Sequence, residues 1–167
     1  MSFKPVSEYL PHTFPMILLD EIIRIEKECI TCAATVSADG ILSPFLDDNQ
    51  RFPAYFFIEM MAQSIGIWNG FHNEKYQNTP KIAFLLGSRL FESKIETVPL
   101  HTKIEIEAKL ILKDNNLANF EAYTIIRNKR VAHAKLNVYQ PSQAEIETQL
   151  RESTVKDGTK SISHRSQ

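Results

Sequence analysis

A charge field of one sign is missing from this sequence: 19 Lys and Arg stand against 20 Asp and Glu, a net charge of −1. Such a balance gives no sequence-wide attraction to nucleic acid or an anionic membrane. Uninterrupted apolar runs are missing too. The best candidate for a membrane span, Phe52 to Trp68, contains Glu59 and Gln63 and is too polar and too short to cross. The opening Met-Ser-Phe-Lys-Pro lacks the apolar centre of a secretory signal. These absences point to a soluble, cytoplasmic protein.

Cysteine is scarce, with only Cys29 and Cys32. C-x-x-C can mark a redox pair or half a zinc site. Here it lies in an alternating, strand-like stretch, Glu28 to Ala33, where residues three apart face opposite ways. A redox pair usually opens a helix, and no second ligand pair exists. We therefore expect two ordinary strand cysteines. No pair of histidines has metal-ligand spacing on a helix, so no metal is expected. His72, His101 and His133 are expected to have no functional role, with His101 opening a strand.

What is present is one domain's worth of chain, 167 residues with 43% apolar, enough for one real core. Residues 1–16 hold Pro5, Pro11 and Pro15 and read as a lead-in with a short helical turn at 6–10. Strands are expected at 17–27 and 31–37, with Glu26-Lys27-Glu28 as a hairpin tip. Phe52 to Trp68 is apolar almost all round, the mark of a buried helix, and Pro53 suits its first turn. A polar connection follows at 71–80. Further strands are expected near 81–93, 101–113, 117–127 and 130–139. Lys113 to Asn116 and Arg127 to Arg130 are their turns. Thr102 to Ala108 alternates, as an antiparallel strand with one wet face does. Residues 1–140 form the domain. Residues 141–167 read as a polar, mobile tail with a helical piece at 142–151. Two strands, one buried helix and four more strands make an α+β fold, an antiparallel sheet wrapped around a central helix.

Glu59 carries the chemistry. Its helical neighbours are Tyr55, Phe56, Ala62 and Gln63. An ionised carboxylate among apolar groups is costly, so a raised pKa is the expected response. A protonated carboxyl in such a place can act as a general acid. An edge glutamate reaching water fits the same spacing. Gln63, one turn on, can bond the carboxyl or be satisfied by backbone. Free N–H groups at Ala54, Tyr55 and Phe56 could hold a thioester carbonyl oxygen as charge develops on it. His12, between Pro11 and Pro15, sits in a restricted loop of the kind that positions functional groups.

These segments together resemble a known family. Leu10-Pro11-His12-Thr13-Phe14-Pro15-Met16-Ile17-Leu18-Leu19-Asp20 is similar to the Leu-Pro-His-Arg-Tyr-Pro-Phe-Leu-Leu-Val-Asp opening of the hot-dog-fold 3-hydroxyacyl-[acyl-carrier-protein] dehydratases. Phe52-Pro53-Ala54-Tyr55-Phe56-Phe57-Ile58-Glu59-Met60-Met61-Ala62-Gln63 resembles their Met-Pro-Gly-Val-Leu-x-x-Glu-Ala-Met-Ala-Gln helix. Phe84-Leu85-Leu86-Gly87 and Val98-Pro99-Leu100-His101 resemble two later landmarks. The resemblance runs from about residue 8 to 140 and is strongest to the dehydratases of aryl-polyene synthesis. It implies a hot-dog fold and a dimer, homomeric or built with a homologous dehydratase. It implies a substrate carried on the phosphopantetheine of an acyl carrier protein, with no further cofactor. It makes Glu59 the acid, and makes Gln63, Pro53, Ala54 and Tyr55 substrate-binding. The family's base, the histidine of Gly-His-Phe-Pro, is absent. Phe45 stands there, fourteen residues before Glu59, and Ala54 replaces the helix-start glycine. Three explanations remain open: His12 is the base, a partner chain supplies a histidine, or the chain is a silent partner subunit. An acyl-thioester hydrolase is the alternative enzyme on the same fold. An acidic carrier protein calls for a basic mouth, for which Lys81, Arg89, Lys94 and Lys103 are candidates.

Overall fold

A computed structural model describes residues 2–74 and 84–160. A 3-10 turn at Val6–Glu8 leads through an irregular strap to β1 (Glu21–Ile25) and β2 (Cys29–Thr35). A second 3-10 turn, Ser43–Phe45, precedes the two-residue strand β3 (Phe52–Pro53). Pro53 then caps a third turn, Ala54–Phe56, which runs straight into helix α1 (Phe57–Asn73). After α1 come β4 (Phe84–Ser93), β5 (Thr97–Val98), β6 (Lys103–Asp114), β7 (Leu117–Ile126), β8 (Lys129–Tyr139) and helix α2 (Gln143–Lys160).

The large sheet is antiparallel in the order β1-β2-β6-β7-β8-β4; β3 and β5 form a small separate pair. Strand residues alternate, so one face of the sheet is dry. Ile104, Ile106 and Ala108 of β6 and Ala132, Ala134, Leu136 and Val138 of β8 are buried. They are covered by α1, which packs against β2, β6, β7 and β8. Phe57, Met60, Met61, Ile65 and Ile67 of α1 are almost fully buried. This is the α+β, sheet-around-helix arrangement expected from the sequence.

Several expectations are refined. Strand β1 starts at Glu21, four residues later than 17. Ile17, Leu18 and Leu19 are buried as part of the strap, because the Leu18 N–H donates to the side chain of Gln63 (2.8 Å) and not to a neighbouring strand. His101 does not open β6 but precedes it in a left-handed turn, φ 66°. Lys81 and the start of the third expected strand, 81–83, lie outside the described residues. The helical piece expected at 142–151 is present as the start of α2. Ser142 and Glu145 form a reciprocal cap: the Ser142 N–H donates to Glu145 Oε2 (2.7 Å), and the Glu145 N–H donates to Ser142 Oγ (3.3 Å). That S-x-x-E box starts a helix without help from a core, and α2 extends past 151 to Lys160. The cysteines are free. Cys32 is fully buried in β2, and burial pushes its thiol up to about 12, which keeps it unreactive.

The β7–β8 hairpin turns on two residues, Arg127 (φ 51°) and Asn128 (φ 63°). Both are left-handed, as a type I′ turn requires, and such turns favour glycine in the second place. Asn128→Gly should raise stability by about 0.5 kcal/mol, read as a higher denaturant midpoint at unchanged slope.

Candidate active site

The N-terminal strap brings His12 to Glu59. His12 Nε2 lies 3.6 Å from Glu59 Oε1. That is close enough for an ion pair and longer than a hydrogen bond. His12 Nδ1 is buried and has no hydrogen-bond partner among the described residues. Gln63, one turn along α1 from Glu59, is 1% exposed. Its Nε2 donates to Glu59 Oε1 (3.0 Å) and to the Met16 carbonyl (2.7 Å), while its Oε1 accepts the Leu18 N–H (2.8 Å). Both ends of that amide are therefore engaged within the protein. Gln63 thus ties Glu59 to the strap.

The dry enclosure expected around Glu59 is only partly built. The Glu59 side chain is 43% exposed and that of His12 36%, because the Tyr55 ring on the same face points to solvent, 67% exposed. His12 and Glu59 thus meet at the surface of this one chain.

The helix start has its own contacts. The Ala54 N–H donates to the Glu96 carbonyl (2.8 Å), and Ala54 is buried. Its N–H is thus engaged within the chain. Pro53 is buried and pairs with Thr97. Beside them opens a cleft of about 470 Å³ walled by Pro53, Ala54, Tyr55, Phe91, Ile95 and Thr97; Glu59 is not in its wall. At the place of the missing histidine, the Phe45 ring meets Phe56 edge-on, centroids 5.1 Å apart. An aromatic contact occupies the position where the family carries its base.

The outer face of the sheet carries a second titratable cluster. Glu121 Oε1 accepts from the Tyr123 hydroxyl (2.8 Å) and lies 2.7 Å from His133 Nε2. His133 stacks on Tyr123, over which Arg130 sits at 3.7 Å. His133 is therefore engaged structurally. The Tyr123 hydroxyl, and then His133, hold the Glu121 carboxyl below the usual carboxylate value. A lowered carboxylate pKa stabilises the fold above the unfolded value and loses that contribution as pH falls through the folded one. Denaturant titrations of wild type and Glu121→Gln should differ at neutral pH and converge as acid protonates the carboxyl.

Among the expected docking cations, Lys103 is paired with Glu21 (2.9 Å). Arg89 and Lys94 are exposed. Among the described residues no group of three His, Cys, Asp or Glu could hold a metal, and no helix is long and apolar enough to cross a membrane.

A profile of the ApeP-like family, described as ApeP dehydratase, matches residues 4–150. The chain belongs to the ApeP-like dehydratases. It is 28% identical over 142 residues to the 3-hydroxyacyl-[acyl-carrier-protein] dehydratase FabZ of Streptococcus agalactiae, covering 81% of this chain and 95% of that one. A chain of the dehydratase heterocomplex ApeI:P from Xenorhabdus doucetiae superposes with a TM-score of 0.81 at 34% identity, covering 89% of this dehydratase and 99% of that chain. A hypothetical thioesterase from Streptococcus pneumoniae, solved with coenzyme A, superposes at 0.58 with 10% identity over 74% of this chain and 89% of its own. That likeness shows the hot-dog fold alone.

The bond from Gln63 to Glu59 was expected from their spacing; the attachment of the strap that carries His12 to Gln63 was not. The Met16 carbonyl and the Leu18 N–H carry the link, and backbone groups leave no residue signature. The close seating of the strap on α1 had one visible sign, the pair Gly66 and Gly70 four residues apart on the face of Glu59 and Gln63.

Proposed function

We propose that this dehydratase removes water from a 3-hydroxyacyl thioester carried by an acyl carrier protein, giving the trans-2-enoyl thioester, with His12 as base and Glu59 as acid. The observation that carries this reading is the 3.6 Å approach of His12 Nε2 to Glu59 Oε1 within one chain. The thioester carbonyl acidifies the protons on C2. His12 takes one, the electron pair forms the C2–C3 double bond, and the C3–O bond breaks. Glu59 gives its proton to the departing hydroxyl, which leaves as water. The imidazolium and the carboxylate then lie side by side, and proton return between them restores both. Charge on the carbonyl oxygen needs a donor. With Ala54 engaged, the Tyr55 N–H is the next one at the helix start. The substrate brings its own phosphopantetheine, so no resident cofactor takes part. Arg89 and Lys94 suit an acidic carrier, met in the cytoplasm.

A second reading is favoured by the heterocomplex formed by the 34% identical relative. Strand β4 ends the sheet, and Leu85 and Leu86 on it are 42% and 59% exposed. A homologous chain pairing there would cover these leucines, and under this reading it supplies the histidine that acts with Glu59.

The two are separated by the reverse reaction, hydration of a trans-2-enoyl thioester, followed as loss of conjugated absorbance. Under the first reading the chain alone turns over, and His12→Ala and Glu59→Gln both stop it. Turnover undiminished in His12→Ala would remove His12 as base, and turnover seen only after a homologous chain is added would hand the base to the partner. Release of free thiol without an enoyl product would make the protein a thioester hydrolase.

A further inference from the structure

Glu59, Gln63, Gly66 and Gly70 follow one another at four, three and four residues, so they form a single line along α1. The strap lies against that line. A Cβ at Gly70 would stand 2.6 Å from the Tyr9 carbonyl oxygen, and one at Gly66 would stand 2.9 Å from Leu10 Cδ2. The first obstacle is backbone and cannot swing aside; the second is the tip of a flexible side chain. Next along the line, Gln63 binds the strap at Met16 and Leu18. His12 is thus held between two anchors, one at Tyr9 and one at Met16–Leu18.

We propose that Gly70 and Gln63 are positioning residues that seat the strap along α1 and so set His12 against Glu59 within one chain. This rests on the reading of His12 as base. Apart from the turn at Val6–Glu8 the strap has no regular structure, so its contacts decide where His12 lies. A glycine inside a helix costs about 0.5–1 kcal/mol relative to alanine. Here the missing side chain is what allows the backbone of Tyr9 to lie on the helix. Misplacing a catalytic group by an ångström costs on the order of 100-fold in rate.

The test uses protein labelled with 15N in its histidine rings. In wild type, Glu59→Gln should change the ring resonances of His12. In Gly70→Ala, and separately in Gln63→Met, which leaves the helix backbone untouched and keeps the side-chain volume, that response should disappear. Gly66→Ala should keep it, because the Leu10 tip can move. For hydration, kcat should fall on the order of 10–100-fold in Gly70→Ala and Gln63→Met with KM little changed. Gly70→Ala should cost no more when added to His12→Ala, since it acts through that residue; Gln63→Met also removes the bond to Glu59, so its effect on the strap is read from the His12 resonances. An intact His12 response in both variants would overturn the proposal, as would full additivity of Gly70→Ala with His12→Ala. If the response disappears but His12→Ala still turns over, the seating stands and the assignment of His12 as base falls.

Discussion

Glu59→Gln should slow dehydration by about 10²–10⁴-fold, the usual worth of a positioned general acid, and leave the fold intact. The amide matches the carboxyl in size, and its oxygen can still accept from Gln63 Nε2, now 3.0 Å from Glu59 Oε1. What it cannot do is give up a proton to the leaving hydroxyl. The side chain is 43% exposed, so little buried packing depends on it. Substrate binding should change far less than turnover, because the interaction removed is one made as the C–O bond breaks. A single-turnover measurement with saturating substrate, beside a thermal melt of the same preparation, separates loss of chemistry from loss of structure. A variant that melts like wild type and dehydrates at the same rate would remove Glu59 from the mechanism.

The second large effect is on the scaffold. Phe57 is where the 3-10 turn becomes α1, and its ring is fully buried beside Phe52, centroids 6.4 Å apart. Phe57→Ala leaves a cavity that the two-residue strand β3 cannot close, and should cost about 3–5 kcal/mol. At roughly 2–4 °C per kcal/mol for a chain of this size, the midpoint should drop by about 6–20 °C. Tyr55→Ala, two residues earlier, is the contrast. Its ring is 67% exposed, so its removal should move stability by no more than about 0.5 kcal/mol. Equal losses in the two variants would mean that burial at the helix start is not what holds α1 on the sheet.

The fold was legible because its elements advertise their periods. The alternation of Thr102 to Ala108 marked β6 within two residues of its start, and the all-round apolar stretch after Pro53 marked α1. Misreadings fell where something other than period decides. Ile17 to Leu19 look like strand because they are apolar, yet they are buried by a side-chain clamp. The helix expected at 142–151 runs on to Lys160, beyond where the polar sequence after Leu150 gives any apolar period to mark it. In the site, residue types pointed to Glu59 and His12, because a carboxyl on an apolar face and a histidine between prolines are uncommon. The use of the Ala54 N–H by Glu96, and the choice of Met16 and Leu18 as the backbone partners of Gln63, are tertiary hydrogen bonds with no trace in spacing.

The central claim is that one chain carries both acid and base. Its most direct test is to incubate a 3-hydroxyacyl carrier protein with this dehydratase, purified free of any homologous chain, and weigh the carrier protein by mass spectrometry. The loss of one water, catalysed by the chain alone and abolished in His12→Ala, is the result the account predicts. An unchanged mass with the chain alone, and loss of water once a histidine-bearing homologue is added, would contradict it.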